Sequence, residues 1–207
     1  MKLYLRFVVI FLLASLMEGC KMIGITPTPM PGWRSPVYQL LVDDTVFPQS
    51  WSVEFPQDTS TDPTANHVGR TWGNIVNGAG AEQAIWRAFS IADAKRKYDE
   101  LQSQFNPSRP SEPNAIFIEL KTPTEISFQS QVADEMHLAC GWVYTAYCVV
   151  VARYRNYVTD IRVDLQAEHE GIHSNGLTYE QIENIVIAMD AKFAKFLSTL
   201  PSATSTP

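Results

Sequence analysis

The sequence predicts an α+β fold, an antiparallel β-sheet made of two hairpin or meander units with two amphipathic helices packed on one face. Residues 133–165 are rich in β-branched and aromatic residues, which indicates three consecutive antiparallel strands. Residues 68–76 and 84–89 flank an Asn-Gly-Ala-Gly segment, which predicts a second hairpin. A segment of helical period follows each unit and opens with a capping box.

A turn and an expected disulfide set the register of the three central strands. A two-residue turn at Arg155-Asn156 places Ile161 opposite Val150. A bridge between Cys140 and Cys148 then places the preceding strand in a register that agrees with the first. One face becomes apolar and is the predicted core: Met136, Leu138, Cys140, Cys148, Val150, Ala152, Thr159, Ile161 and Val163.

Both amphipathic helices are expected on that apolar face, because nothing else in the chain is available to cover it. The first opens at Ser90 and presents Ala94, Tyr98, Leu101 and Phe105 on one face. The second opens at Thr178, ends before Pro201 and presents a longer apolar stripe, namely Ile182, Ile185, Val186, Met189, Phe193, Phe196 and Leu197. Shorter strands are expected at residues 51–55, 115–120 and 125–129, and a helical turn at residues 37–41.

The N-terminus has the features of an export signal. Lys2 and Arg6 precede an apolar run at residues 7–17, the length of a signal-peptide core and too short for an ordinary transmembrane helix. The run ends in Met17-Glu18-Gly19-Cys20, which resembles the lipobox of bacterial lipoproteins, although Glu18 departs from that pattern. We therefore expect residues 1–19 to be a signal peptide and Cys20 to receive lipid. Plain secretion and an uncleaved anchor are the alternatives.

The expected export and lipidation determine the expected organisation of the chain. Residues 20–35 form a lipidated, proline-containing tether, residues 36–200 a single extracytoplasmic domain on a cell membrane, and residues 201–207 a disordered tail. An oxidising compartment favours a disulfide between Cys140 and Cys148 over a metal or redox pair. Removal of residues 1–19 changes the formal charge from −6 to −7, since two positive charges and one negative charge are lost. With no cluster of Lys or Arg, nucleic-acid binding is not expected.

Several short motifs carry a family resemblance that spans most of residues 37–197. They are Val46-Phe47-Pro48-Gln49-Ser50-Trp51, Ala133-Asp134-Glu135, Cys140, Cys148, Ala152-Arg153-Tyr154, Asn156-Tyr157-Val158 and Met189-Asp190-Ala191-Lys192. Together they resemble the extracytoplasmic sensor-domain family of actinobacterial lipoproteins and of membrane Ser/Thr kinase ectodomains. The resemblance implies an antiparallel sheet with helices on one face and a ligand cleft without established catalysis. Members of that family often carry two disulfides, whereas this chain has cysteines for one.

One motif points to a different chemistry. His169-Glu170-Gly171-Ile172-His173 matches H-E-x-x-H, and Gly176 extends the match to the signature of zinc peptidases. In such enzymes two histidines one helical turn apart bind zinc while the glutamate polarises the metal-bound water. Glu180 or Glu183 would be the third ligand here. Because Gly171 interrupts the motif and Ser174-Asn175-Gly176 follows it, a solvated loop between strand and helix is the favoured interpretation, and a fortuitous metal-binding loop is another.

The second face of the meander is the predicted binding surface. It mixes apolar and charged side chains, which suggests a shallow groove covered by a loop or a ligand: His137, Val149, Val151, Asp160 and Arg162. The sequence thus predicts a lipid-anchored binding or sensing domain without catalytic activity or cofactor, whose partner beyond the membrane is an unknown small molecule or envelope protein. The alternatives are a small zinc-dependent peptidase and a structural envelope lipoprotein.

Overall fold

A computed structural model describes residues 37–55, 66–104 and 116–200 of the chain. Its helical elements are two short 3₁₀ turns, Val37–Leu40 and Asp44–Val46, and two α-helices, α1 (Ile91–Gln104) and α2 (Tyr179–Thr199). The strands, in chain order, are β1 (Trp51–Phe55), β2 (His67–Asn74), β3 (Gly80–Arg87), β4 (Phe117–Lys121), β5 (Glu135–Val143), β6 (Thr145–Tyr154), β7 (Tyr157–Asp164), β8 (Ala167–His169) and β9 (Ile172–Ser174). The predicted α+β class is confirmed.

Seven of these strands form one antiparallel sheet rather than two separate units. Their order is β1-β2-β3-β7-β6-β5-β4, and β8 pairs with β9 in a small second sheet. The predicted division into two hairpin units is therefore wrong, because β3 pairs with β7 along its length. This pairing places Ala84 opposite Asp160 and joins residues that are distant in the sequence.

The predicted register of the central strands is confirmed. Ile161 pairs with Val150 and Val163 with Cys148, while Leu138 of β5 also pairs with Val150. The Cys140–Cys148 disulfide is formed across β5 and β6. The turn and the disulfide thus fix the same alternation of side chains between the two faces of the sheet.

The two α-helices lie on opposite faces of the sheet, so the prediction that both pack on one face is wrong. Helix α2 covers the predicted core face, where Ile185, Met189 and Phe193 join the cluster that contains Val150 and Ile161. Helix α1 covers the other face, where its buried residues pack against Val151 and Val158. Tyr98 and Leu101 belong to this second cluster and not to the cluster of Cys140 and Cys148.

The segment before β1 explains why α1 is excluded from the core face. Buried side chains of residues 37–47 fill that face over β2 and β3, beside α2: Val37, Leu40, Leu41, Val42 and Phe47. Gln83 of β3 lies beneath them, fully buried, and its Oε1 accepts a hydrogen bond from the Val42 amide at 2.9 Å. The core face is therefore covered without α1.

The helix starts lie where the capping boxes predict them. Thr178 accepts a hydrogen bond from the Gln181 amide and donates its own amide to the Gln181 side chain. The Asp93 amide donates to Ser90 Oγ at 3.0 Å in front of α1. These bonds satisfy amides that have no partner within the helix.

Residues 125–129 form no strand, contrary to the prediction. The Ser127 and Phe128 amides instead donate to the carboxylate of Glu183 on α2, at 2.9 and 2.8 Å. Further along this loop, Ser130 donates to the buried carboxylate of Asp190, which also accepts from the Tyr154 hydroxyl at 2.9 Å. The loop is therefore held against α2 and β6 by side-chain hydrogen bonds.

Candidate functional site

A groove of about 490 Å³ lies on the face of the sheet that carries α1. It runs over β2, β3 and β7 and is closed on one side by α1. The residues that line it combine aromatic, aliphatic and charged groups: His67, Gly69, Glu82, Ala84, Trp86, Lys97, Leu101, Gln104, Asp160 and Arg162.

The floor of the groove consists of small residues followed by a carboxylate. Gly69 pairs with Ala84, and Ala84 pairs with Asp160, so the three form one row across β2, β3 and β7. Neighbouring rows carry Trp86 on one side and Glu82 on the other. The depression therefore exists because Gly69 and Ala84 lack the bulk of the residues around them.

The aromatic wall is a stacked pair. The rings of His67 and Trp86 lie opposite each other on β2 and β3, with centroids 4.9 Å apart. Lys97 of α1 places its ammonium 4.8 Å from the Trp86 ring, a cation–π contact that ties the helix to this wall. A flat or aliphatic ligand body would find an apolar surface on this side of the groove.

Asp160 is half-buried at the end of the floor. Burial, and after it the negative charge of Glu82, raises the pKa of its carboxyl from 3.8 to about 6. The backbone hydrogen bond from Ala84 and the charge of Lys97 act in the opposite direction. The folded protein therefore holds a carboxylate here in an unfavourable electrostatic environment.

The cations of the groove are engaged with other groups. Lys97 forms an ion pair with Glu100 at 3.0 Å in addition to its contact with Trp86. The guanidinium of Arg162 lies 4.1 Å from the Tyr147 ring. Within the described parts of the chain, neither Asp160 nor Glu82 takes part in an ion pair. The groove thus presents two carboxylates beside an aromatic wall.

The predicted binding surface is only partly available. Register confirms that His137, Val151 and Asp160 lie in one row on this face, and that Val149 lies opposite Arg162. Val149 and Val151 are fully buried, however, and Val151 packs under α1. A broad open surface is therefore the wrong description, because the helix covers its centre.

Asp160 and Arg162 line the groove, whereas His137 lies in a separate depression of about 620 Å³ between β5 and the loop at residues 126–130. A third depression of about 690 Å³ separates the first 3₁₀ turn from α2. There Lys192 already contacts the Leu41 carbonyl and Asp43. We favour the groove at Asp160 because, among the described residues, neither of its carboxylates forms an ion pair.

Sequence reasoning missed the residues of β2, β3 and α1 that complete the groove. Trp86, Glu82, His67 and Lys97 were not candidates, because the pairing of β3 with β7 is not a feature of the local sequence. The one usable signal was the second hairpin itself, which predicts the strands but not their neighbours in the sheet.

The H-E-x-x-H segment forms a β-hairpin and not a helix. Glu170 and Gly171 form its turn, with φ of 50° and 78°, and the flanking residues pair as β8 and β9. His169 lies opposite Ile172, and His173 lies opposite Glu168. The two histidines therefore project from opposite faces of the hairpin, unlike the histidines of a zinc-peptidase helix.

The remaining features of the motif have other contacts. His169 lies against the Trp142 ring, with centroids 6.3 Å apart, and His173 lies 3.5 Å from the Glu168 carboxylate. Glu183, a predicted third ligand, accepts hydrogen bonds from the loop at residues 127–128. Glu180 lies in the first turn of α2. Across the described residues, no three His, Cys, Asp or Glu side chains converge on a common metal position.

The predicted signal peptide, Cys20, the tether and the C-terminal tail lie outside the described residues. Neither α1 nor α2 has both the length and the apolar character that a membrane-spanning helix requires. Comparisons of the chain with protein-family models, with curated proteins and with solved structures found no match. The resemblance to extracytoplasmic sensor domains stays a prediction.

Proposed function

We propose that this chain is a non-enzymatic binding domain that binds a small organic cation in the groove at Asp160. The observation that supports the proposal is a pair of carboxylates, those of Asp160 and Glu82, beside the stacked rings of His67 and Trp86. In the part of the chain that the structure describes, neither carboxylate forms an ion pair. A ligand with an amine or guanidinium group would supply an ion-pair partner for these carboxylates. Its apolar body would lie on Gly69 and Ala84 against Trp86.

The electrostatics of Asp160 supports a cation in particular. A cationic ligand favours the ionised carboxylate, whose pKa burial and Glu82 raise to about 6. An anionic ligand would meet the same two carboxylates, while the cations Lys97 and Arg162 are already engaged with neighbouring side chains. The groove therefore discriminates by charge before it discriminates by shape.

The proposed location is the outer face of a cell membrane, where lipid on Cys20 anchors the chain. This part of the proposal rests on the apolar run and the lipobox-like segment that precede Cys20. Membrane fractionation of cells that express the full chain and its Cys20→Ala variant tests it. Release of the variant from the membrane supports lipid anchoring, and equal retention would make the apolar segment the anchor.

Three probes of similar size and different charge test the groove: benzylamine, benzyl alcohol and benzoate. We would titrate each into the isotope-labelled mature chain, with Cys20→Ser to prevent acylation, and follow backbone amides by NMR. Benzylamine should shift the amide signals of Gly69, Ala84 and Asp160, while benzoate should leave them in place. Equal shifts with all three probes, or none, would contradict a cation site.

Two variants define the site further. Asp160→Asn should weaken benzylamine binding about tenfold to a hundredfold, the usual value of a hydrogen bond or contact with a charged group. Glu119→Gln on the exposed edge strand β4 removes the same charge far from the groove and is the matched control. Gly69→Ala should make the floor shallower without strain, because the nearest atom to the added Cβ is the Gln83 carbonyl oxygen at 3.6 Å, an ordinary van der Waals contact.

A further inference from the structure

Exposed apolar side chains from separate turns lie at one end of the sheet. Ile75 and Val76, in the turn between β2 and β3, are each 83% exposed. Tyr144, between β5 and β6, is 63% exposed, and Ile172 on β9 is 51% exposed. We call these four residues the apolar end.

The pairing register of the strands shows that the turns of the apolar end lie at the same end of the sheet. Gly73, Gly80, Asp164, Tyr147 and Gly141 form one row across five strands, and the turns follow directly beyond that row. Gly80 belongs to this row because its amide donates to the Asp164 side chain at 2.8 Å. The β2–β3 turn, the β5–β6 turn and the β8–β9 hairpin thus project from the same end of the sheet.

Hydrogen bonds join the three turns. The hydroxyls of Ser174 and Thr145 are 2.8 Å apart, which connects β9 to the beginning of β6. The Asn175 side chain donates to the Asn77 carbonyl at 3.4 Å, which connects the same hairpin to the β2–β3 turn. The relative positions of the apolar tips are therefore fixed by the fold.

We propose that the apolar end docks on the lipid bilayer that holds the chain, with Ile75 and Val76 inserted into the boundary between headgroups and acyl chains. The inference rests on the membrane anchoring put forward above. Aliphatic side chains at protruding tips can enter a fluid surface, and an exposed tyrosine suits the interface, where its ring is apolar and its hydroxyl stays hydrated. The anchor supplies attachment, and the apolar end sets the orientation of the domain.

The path of the chain allows this orientation. The first 3₁₀ turn lies beside Lys195 and Phe196, and Phe196 contacts Tyr157 at the opposite end of the sheet. The eight residues of β7 separate the two ends by about 25 Å. Residues 21–36 have a maximum length of about 55 Å when extended, which exceeds that separation. The tether is therefore long enough for the apolar end to face the membrane.

Charge at the apolar end selects the kind of bilayer. Glu168 and Glu170 of the β8–β9 hairpin are exposed, and the three turns contain no Lys or Arg. Negative headgroups would repel these carboxylates, so the surface that fits is zwitterionic. This separates the apolar end from basic surfaces that bind anionic lipid.

Spin labels test the docking in the full chain reconstituted into phosphatidylcholine vesicles. A nitroxide at Val76→Cys should gain collisions with oxygen and lose collisions with a water-soluble nickel chelate when the chain is on vesicles. The same label at Gln131→Cys, an exposed position near the opposite end, is the matched control and should keep its aqueous accessibility. Replacing part of the phosphatidylcholine with phosphatidylglycerol should reduce the immersion of position 76.

A second label keeps the test independent of the first substitution. A nitroxide at Ile172→Cys should be immersed, and the pair Ile75→Ser and Val76→Ser should reduce that immersion. If the chain floats with vesicles while positions 76 and 172 stay aqueous, the docking is refuted and the apolar end becomes a protein contact. Immersion of position 131 instead also refutes it. Failure of the chain to float refutes the membrane anchor, which is a separate outcome.

Discussion

Asp160→Asn should stabilise the protein at neutral pH while it weakens ligand binding. Its carboxyl has a pKa of about 6 in the folded protein against an ordinary value of 3.8. A difference of this size corresponds to about 3 kcal/mol, since each pH unit is worth about 1.36 kcal/mol. Because Asp160 is partly exposed and water screens its charge, we expect a gain of about 1–2 kcal/mol.

The sign of the pH dependence follows from the raised pKa. Folding disfavours the ionised form of Asp160, so this residue costs no stability below about pH 3.8 and its full cost above about pH 6. Asparagine has no such cost at any pH. The stability of the variant relative to the natural protein should therefore rise between pH 4 and pH 6 and stay constant above that.

Urea unfolding of the mature chain with Cys20→Ser, measured at several pH values from 4 to 8, checks this prediction. Glu82→Gln is the companion variant, because loss of its charge should lower the pKa of Asp160 and recover part of the same stabilisation. The reasoning fails if Asp160→Asn destabilises the protein at pH 7, or if its effect is the same at pH 4 and pH 7.

Three further predictions follow from the packing and the hairpin. Val151→Asp and Ile161→Asp should both unfold the protein, since each side chain is buried on one of the two covered faces of the sheet. If circular dichroism finds Val151→Asp folded, α1 does not cover the face that carries Val151. Tyr154→Phe should lower the free energy of unfolding, measured in urea, by about 1.5–3 kcal/mol, because it removes the hydroxyl that donates to the buried Asp190 carboxylate. A much smaller loss would show that the hydrogen bond from Ser130 alone satisfies this carboxylate. His169→Ala should leave the zinc content of the purified chain unchanged, as measured by elemental analysis, and loss of stoichiometric zinc would overturn our interpretation of the hairpin.

Local signals predicted the local structure well. The Arg155-Asn156 turn and the two cysteines were sufficient to align β5, β6 and β7, because each is a short-range constraint on a strongly patterned strand. The capping boxes at Ser90 and Thr178 located both helices for the same reason.

The position of α1 was not predictable from its own sequence. An amphipathic stripe shows that a helix has an apolar face but not which side of a sheet that face covers. The missed signal lay in β6, whose residues from Ala146 to Ala152 are all buried. A continuous apolar run of this kind is typical of a strand that is covered on both faces, and it argues against an open second face.

The candidate groove was only half predictable for a related reason. Asp160 and Arg162 belong to the well-aligned meander, but Trp86 and Glu82 reach them only through the long-range pairing of β3 with β7. No short-range pattern encodes that pairing. In the H-E-x-x-H segment, by contrast, Gly171 and Asn175-Gly176 were local evidence against a helix, and the hairpin agrees with them.

The disulfide has a consequence for the chain while it folds. Tyr147-Cys148-Val149-Val150-Val151-Ala152 combines high β-propensity with no charge, the composition that promotes intermolecular strand pairing when it is exposed. Cys140–Cys148 closes the hairpin that contains this segment, so one of its hydrogen-bonding edges can stay occupied by β5 before β7 and the helices assemble. The covalent link therefore protects this segment during folding, when oligomeric misassembly competes with the native sheet.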